Sequence, residues 1–185
     1  MTGGIWTVGH STRPIGELLA LLSGHAMVQL ADVRTIPRSR HNPQFNQERL
    51  ARSLQDAGVA YLHLPGLGGL RRPRPDSINV GWRNTGFRGY ADYMQTPAFA
   101  ESLAALLELA RRQRTALMCA EAVPWRCHRS LIADALTARG LAVRHILSAT
   151  TAALHTLTPW ASVEGTSVTY RDRHKGSSWP ASGAR

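Results

Sequence analysis

Lysine is nearly missing from this chain of 185 residues: Lys175 stands alone among 22 lysines and arginines. No lysine follows a glycine-rich turn, so the phosphate-loop motif is absent, and Gly66-Leu67-Gly68-Gly69 also lacks the spacing of a dinucleotide fingerprint. Cysteine is scarce too. Two thiols make no disulfide framework, and neither a zinc-type nor a thioredoxin-type Cys-x-x-Cys pair occurs, which points to a reducing cytoplasm. No apolar run approaches the roughly 18 residues of a membrane span. Met1 to Gly9 has no basic segment leading into a long apolar one, so neither membrane insertion nor a secretory signal is expected.

What the chain does have is charge of one sign. A net charge of +10 favours anionic partners, nucleotides or nucleic acid among them. Part of the arginine excess can reflect coding bias, so the positions of the arginines say more than their number.

The hydrophobic pattern alternates strand with helix. Apolar, β-prone runs at Ile5–Val8, Met27–Val33, Val59–Leu64, Ala116–Met118 and Leu141–Leu147 are separated by helical stripes through Ile15, Leu18, Leu19 and Leu22, through Leu50 and Leu54, through Leu103, Leu106 and Leu107, and through Leu131, Ile132, Ala135 and Leu136. Gly58 and Gly140 fall where the second and last helices should stop. This predicts an α/β fold: a single three-layer domain, residues 1–160, with a mostly parallel sheet of about five strands and helices on both faces. Residues 161–185 are polar and poor in aliphatics, and are expected to form a flexible tail. Gly66 to Gly89 is rich in glycine, proline and arginine and carries Trp82, Phe87 and Tyr90, so a lid or binding loop is expected there.

In a parallel sheet the loops after the strands open at one edge, where ligands bind. His10 and Ser11 follow the first strand, Arg34 and Arg38 the second, and Cys119 and Glu121 the fourth. These residues should therefore share a crevice with Arg126, His128 and Arg129 at the start of the next helix. Cys119 is a candidate nucleophile, the alternative being a small buried strand residue, and the neighbouring Glu121 disfavours its thiolate. Glu121 is a candidate general base or carboxylate nucleophile, or else a structural partner of Arg34, Arg126 or Arg129. Adjacent residues on a helix diverge by about 100°, so Cys127 and His128 are not expected to share one ion, and no metal is assigned. A minority alternative builds a metal from Cys119, Glu121 and His128, with His10 added.

Thr7-Val-Gly-His-Ser-Thr12, Asp32-Val-Arg-Thr-Ile-Pro-Arg-Ser39, Tyr61-Leu-His-Leu-Pro-Gly-Leu-Gly-Gly69, Phe87-Arg-Gly-Tyr-Ala-Asp-Tyr93 and Met118-Cys-Ala-Glu121 with Cys127-His-Arg-Ser130 together resemble the bacterial and archaeal family known as domain of unknown function 488. That resemblance implies a small α/β domain and marks the same strand-end positions. A weaker resemblance, carried by Leu30-Ala-Asp-Val-Arg34 and by Leu117-Met-Cys119 with Arg129-Ser130, is to rhodanese-like sulfurtransferases and related cysteine phosphatases. It implies that Cys119 would carry a persulfide or phosphoryl group. Glu121 and Pro124 depart from that pattern.

The expected function is an enzyme acting on an anionic substrate, a nucleotide or nucleic acid. Glu121, Cys119 and His10 are the candidate catalytic groups. Ser11, Arg34, Arg38, Arg126, His128, Arg129 and Tyr90 are the candidate anion- and substrate-binding groups. No cofactor is assigned. The alternatives are a non-catalytic nucleic-acid-binding module and a thiol-based sulfurtransferase.

Overall fold

In the computed structural model, which describes residues 4–172, the apolar runs become strands and the periodic stripes become helices. β1 (Ile5–Gly9) leads into α1 (Ile15–Gly24), β2 (Gln29–Asp32) into α2 (Gln47–Asp56), and β3 (Ala60–His63) into α3 (Thr85–Tyr93) and α4 (Pro97–Arg112). Then come β4 (Thr115–Cys119), α5 (Arg129–Thr137), β5 (Val143–Ile146), β6 (Ala152–Leu154), and a hairpin of β7 (Ser162–Glu164) and β8 (Ser167–Thr169). The sheet runs β3-β2-β4-β1-β5-β6, with β1 to β5 mutually parallel and β6 antiparallel at the edge. The expected α/β class holds, with six strands where about five were expected.

This order places a functional edge. From β1 the chain steps one way to β2 and β3, then returns to insert β4 and continues past β1 to β5. Right-handed crossovers put helices that step in opposite directions on opposite faces. Accordingly Leu18, Leu22, Leu50 and Leu54 of α1 and α2 share one core with Trp6, Val8, Ala116 and Met118, while Phe99, Leu103, Leu131 and Ile132 of α4 and α5 share another with Ile5, Ala31, Leu117 and Cys119. The loops after β1 and β4, which are neighbours, therefore diverge to opposite faces and leave a crevice between them. Strand parity also matters: Cys119 alternates with Met118 and so faces α5.

Two expected loops prove to be anchored. The Gly66–Gly89 segment is tied down by Asp92, which accepts from Ser77 Oγ (2.6 Å), Asn79 Nδ2 (2.8 Å) and the Arg74 amide (2.8 Å). It ends in α3, capped by Asn84 accepting from the Phe87 amide. Glycines inside that turn concealed the helix from periodicity. Gly89 is needed there because a β-carbon would lie 2.5 Å from the Arg71 carbonyl oxygen. The tail expected from residue 161 instead begins with the β7–β8 hairpin, whose Val168 and the following Tyr170 are buried. Tyr170 donates to Asp134 at 2.7 Å and its amide donates to Asn79, so one aromatic residue anchors a polar segment. The remainder of that expected tail, 173–185, lies outside the described residues.

Candidate functional site

At the carboxyl edge of the sheet the loops after β1, β2, β3 and β4 and the start of α3 enclose a cleft of about 780 Å³. His10, Ser11, Arg34, Arg38, Cys119, Glu121, Arg126 and His128 all line it, so eight of the ten residues expected at the site meet there. Arg129 and Tyr90 do not line it.

The His10 ring lies on Phe45, with centroids 4.1 Å apart. Its Nδ1–H donates to the Ser11 carbonyl at 2.7 Å, which leaves Nε2 to accept from Arg34 Nη1 at 3.3 Å. Burial, assisted by the Arg34 charge, holds this imidazole down to about 4 and hence neutral at neutral pH. With both nitrogens occupied, His10 is a wall of the cleft. Arg34 is equally committed. Its guanidinium lies bidentate on Asp32, with Nη2 to Oδ2 at 2.6 Å, and Tyr61 O–H donates to the same carboxylate. Asp32 thus balances the charge expected to meet an anion, and Arg34 positions His10.

The uncommitted charges line the same cleft. Arg38 and Arg126 are exposed in the cleft, and neither guanidinium has a partner among the described residues. Glu121 is exposed as well, with its carboxylate unpaired among the described residues. The alternative pairing of Glu121 with Arg34, Arg126 or Arg129 is not formed among the described residues: Arg34 is held by Asp32, and Arg129 approaches the Glu121 backbone instead. Nη2 of Arg129 donates to the Glu121 and Ala122 carbonyls and Nη1 to Thr7 Oγ1 at 3.2 Å, so the guanidinium is folded under the loop. Tyr90 is likewise internal. It donates to the Leu67 carbonyl at 2.9 Å, and its ring lies 5.1 Å from that of His128.

The floor of the cleft holds Cys119, Cys127 and His128. Cys127 was not a candidate, since it was expected on a helix pointing away from His128. Instead α5 starts at Arg129, Cys127 is extended (φ −133°, ψ 146°), and the backbone turns at His128. Neighbouring side chains thereby converge. His128 Nδ1 lies 3.6 Å from Cys127 Sγ and 3.9 Å from Cys119 Sγ. Its Nε2–H donates to the Val33 carbonyl at 3.2 Å, which fixes the tautomer and leaves the Nδ1 lone pair facing both sulfurs. The signal for Cys127 was its place immediately before a helix N-terminus, where the Arg129 amide points at its sulfur at 3.5 Å.

The two thiols are unlike. The Cys127 hydrogen bond and burial push Cys119 up to about 12. Burial also acts to raise Cys127, but the Cys119 S–H bond, the Arg129 charge and the Arg129 amide outweigh it and bring that thiol to about 6. Cys119, the nucleophile expected from its strand-end position, is the poorer thiolate of the pair.

Behind the cleft runs a buried chain: Thr7 Oγ1 to His145 Nδ1 (2.7 Å), His145 Nε2 to His155 Nδ1 (3.0 Å), and His155 Nε2 to Asp134 Oδ1 (2.9 Å). With both rings neutral it can be satisfied only one way, each ring donating from Nε2 toward Asp134. Burial, with the neighbouring His155 ring and the Arg129 charge, holds His145 near 4. Because His10 and His145 titrate normally once unfolded, the unfolded chain takes up protons between pH 6.5 and 4 that the folded chain refuses. Stability is therefore expected to be full above pH 6.5 and to fall as pH drops toward 4, on the order of 2 kcal/mol per histidine after allowance for solvent screening. Urea unfolding at pH 7 and pH 4.5 checks this; equal midpoints would contradict it.

The fold and site define an α/β domain whose parallel sheet carries a thiol–imidazole cleft at its carboxyl edge. The chain belongs to the family described as Domain of unknown function DUF488, whose model matches residues 14–136. That span runs from the start of α1 into α5 and includes all three floor residues. Neither the curated proteins nor the solved structures compared with the chain give a match. No helix among the described residues is long and apolar enough to cross a membrane.

Proposed function

We propose that the protein is an enzyme acting on a phosphate-bearing substrate of the nucleotide class, bound in the cleft between Arg38 and Arg126 and transformed over the Cys119–Cys127–His128 floor. One observation carries this reading: two arginines whose guanidinium groups have no partner among the described residues line the same cleft, of about 780 Å³, as two thiols and an imidazole. Guanidinium groups suit phosphate through paired, charge-assisted hydrogen bonds. Glu121, unpaired among the described residues, is available as a general base, whereas neutral His10 and paired Arg34 shape the wall.

The alternatives draw less support. A nucleic-acid-binding loop would present its rings and arginines outward. Here Arg72, Arg74 and Arg83 are exposed, but the rings are not presented with them: Trp82 packs on Phe87, Trp160 and Tyr170, Tyr90 is buried, Arg71 lies 3.6 Å over the Tyr93 ring, and Arg88 donates to the Trp82 carbonyl. A sulfurtransferase of the rhodanese pattern would cradle its anion in the amides of the loop after Cys119, and here Glu121 adds negative charge to that loop while Pro124 removes one amide donor.

The test is binding. Orthophosphate, pyrophosphate, AMP and ATP are titrated by calorimetry against the full chain and against Arg38→Ala and Arg126→Ala. Each substitution is expected to weaken binding about tenfold to a hundredfold, the worth of a charge-assisted hydrogen bond of roughly 1.5 to 3 kcal/mol. Absence of binding by all four compounds, or unchanged affinity in both variants, removes the reading. Once turnover is found, Glu121→Gln and Cys127→Ser separate carboxylate from thiol chemistry.

A further inference from the structure

We propose that Cys119, Cys127 and His128 form a three-ligand site for a zinc-class divalent cation, with its fourth coordination position open to the cleft. The inference deepens the enzymatic reading by naming what sits on its floor, and it rests on that reading only for the cleft.

The donor atoms come first. Two sulfurs and one imidazole nitrogen lie within 4.8 Å of one another. With metal–sulfur bonds of about 2.3 Å and metal–nitrogen bonds of about 2.0 Å, a tetrahedron sets donor-to-donor edges of about 3.5 to 3.8 Å. The two sulfur-to-nitrogen separations are 3.9 and 3.6 Å and the two sulfurs lie within 4.8 Å of each other, so a small closing of the side chains reaches that arrangement. Soft thiolates with imidazole select zinc over magnesium or calcium, which prefer oxygen.

The surroundings hold these donors as ligands are held. Nε2–H of His128 is fixed by the Val33 carbonyl, the usual outer partner of a ligating imidazole. The Arg129 amide points at Cys127 Sγ, and the Cys127 carbonyl accepts from the Ser130 amide and hydroxyl, both at 3.0 Å. Gly69 leaves space beside the ring: a β-carbon there would lie 2.5 Å from Nδ1. Three separate chain segments thus converge on one imidazole edge. All three donors also line the cleft, so a water or a substrate oxygen can take the remaining position. Three protein ligands with one open position is the pattern of a catalytic rather than a structural zinc site.

Charge closes as well. Each cysteine binds as thiolate, so two S–H protons are displaced relative to the dithiol, and two thiolates with a neutral imidazole balance a divalent ion. No oxidant or reductant is needed.

The experiment uses the full chain, purified under reductant, freed of metal by chelator, and titrated with Zn2+ and with Co2+ as the spectroscopic probe. One equivalent per chain is expected, with tetrahedral cobalt bands and a thiolate-to-cobalt charge-transfer band. Cys127→Ser and His128→Gln should each lower affinity at least a hundredfold. Gly69→Ala, which removes no ligand, should lower it about tenfold. Arg126→Ala should leave metal uptake unchanged, because that residue belongs to anion binding; cobalt bands intact in a protein whose phosphate affinity is the same in wild type, Arg38→Ala and Arg126→Ala would overturn the substrate reading alone. Circular dichroism confirms that each variant is folded, and His128→Gln carries the test if a cysteine variant is not. A folded, reduced wild type that takes up neither ion overturns the proposal, as does stoichiometric uptake that survives in both Cys127→Ser and His128→Gln. A persulfide on either thiol in the metal-free protein, read by intact mass, also counts against it.

Discussion

Asp134→Ala is expected to cost about 3 to 5 kcal/mol and to release the C-terminal hairpin, because four donors lose one acceptor in the interior. The carboxylate is fully buried and accepts from His155 Nε2–H (2.9 Å), the Thr158 amide (2.9 Å), Thr158 O–H (2.7 Å) and Tyr170 O–H (2.7 Å). Through His155 it supports β6's exit, through Tyr170 the end of β8, and through the histidine chain it reaches Thr7 in β1. Asp134→Asn should cost less. It keeps Oδ1 for His155 and Thr158 N, and the two hydroxyls can rotate to accept from the new amide. A midpoint shift of roughly 10 °C for the alanine variant, with hydrogen exchange rising first across residues 162–169, would match the larger figure. A loss below about 1 kcal/mol in the alanine variant would show that the four donors find water, and the network would then be decoration rather than an anchor.

The same network explains which parts of this protein the sequence makes visible. Strands β1, β2 and β4 are read from continuous apolar runs because they are buried on both faces along their whole length, and α4 is read from the 3.6-residue period of Leu103, Leu106 and Leu107. The shared crevice follows too, since strand ends of a parallel sheet open on one side. The hairpin escapes because its anchor is a single phenol, Tyr170, finding a carboxylate 36 residues away. Cys127 escapes for a local reason: one extended residue before α5 turns two diverging neighbours into converging ones. Arg129 is a different failure. A cation at a helix start can reach outward to an anion or fold back under the preceding loop, and sequence spacing is the same in both cases.

That ambiguity sets up the second large effect, Arg129→Met, expected to cost about 2 to 4 kcal/mol and to loosen the cleft rim. Arg129 is 1% exposed, and its guanidinium joins Glu121, Ala122 and Thr7 without a carboxylate partner among the described residues. Methionine fills similar volume, and exchanging a buried ion for an apolar chain is in some proteins neutral, so the sign depends on the acceptors left behind. The Glu121 and Ala122 carbonyls belong to exposed residues and can turn to water, but only by moving the loop. Thr7 Oγ1 is fully buried and keeps only His145. The cost is therefore paid mainly in loop order. Trypsin supplies a readout independent of any ligand, since Arg126 is an exposed site within that loop: cleavage after Arg126 should accelerate at least tenfold in Arg129→Met while cleavage elsewhere among residues 4–172 keeps its wild-type rate. Arg129→Lys should fall between, because one ammonium on a flexible stem cannot reach all three acceptors at once. Wild-type stability together with a wild-type cleavage rate in Arg129→Met would mean that the loop stands by itself, and that the buried guanidinium serves the sulfur of Cys127 rather than the rim.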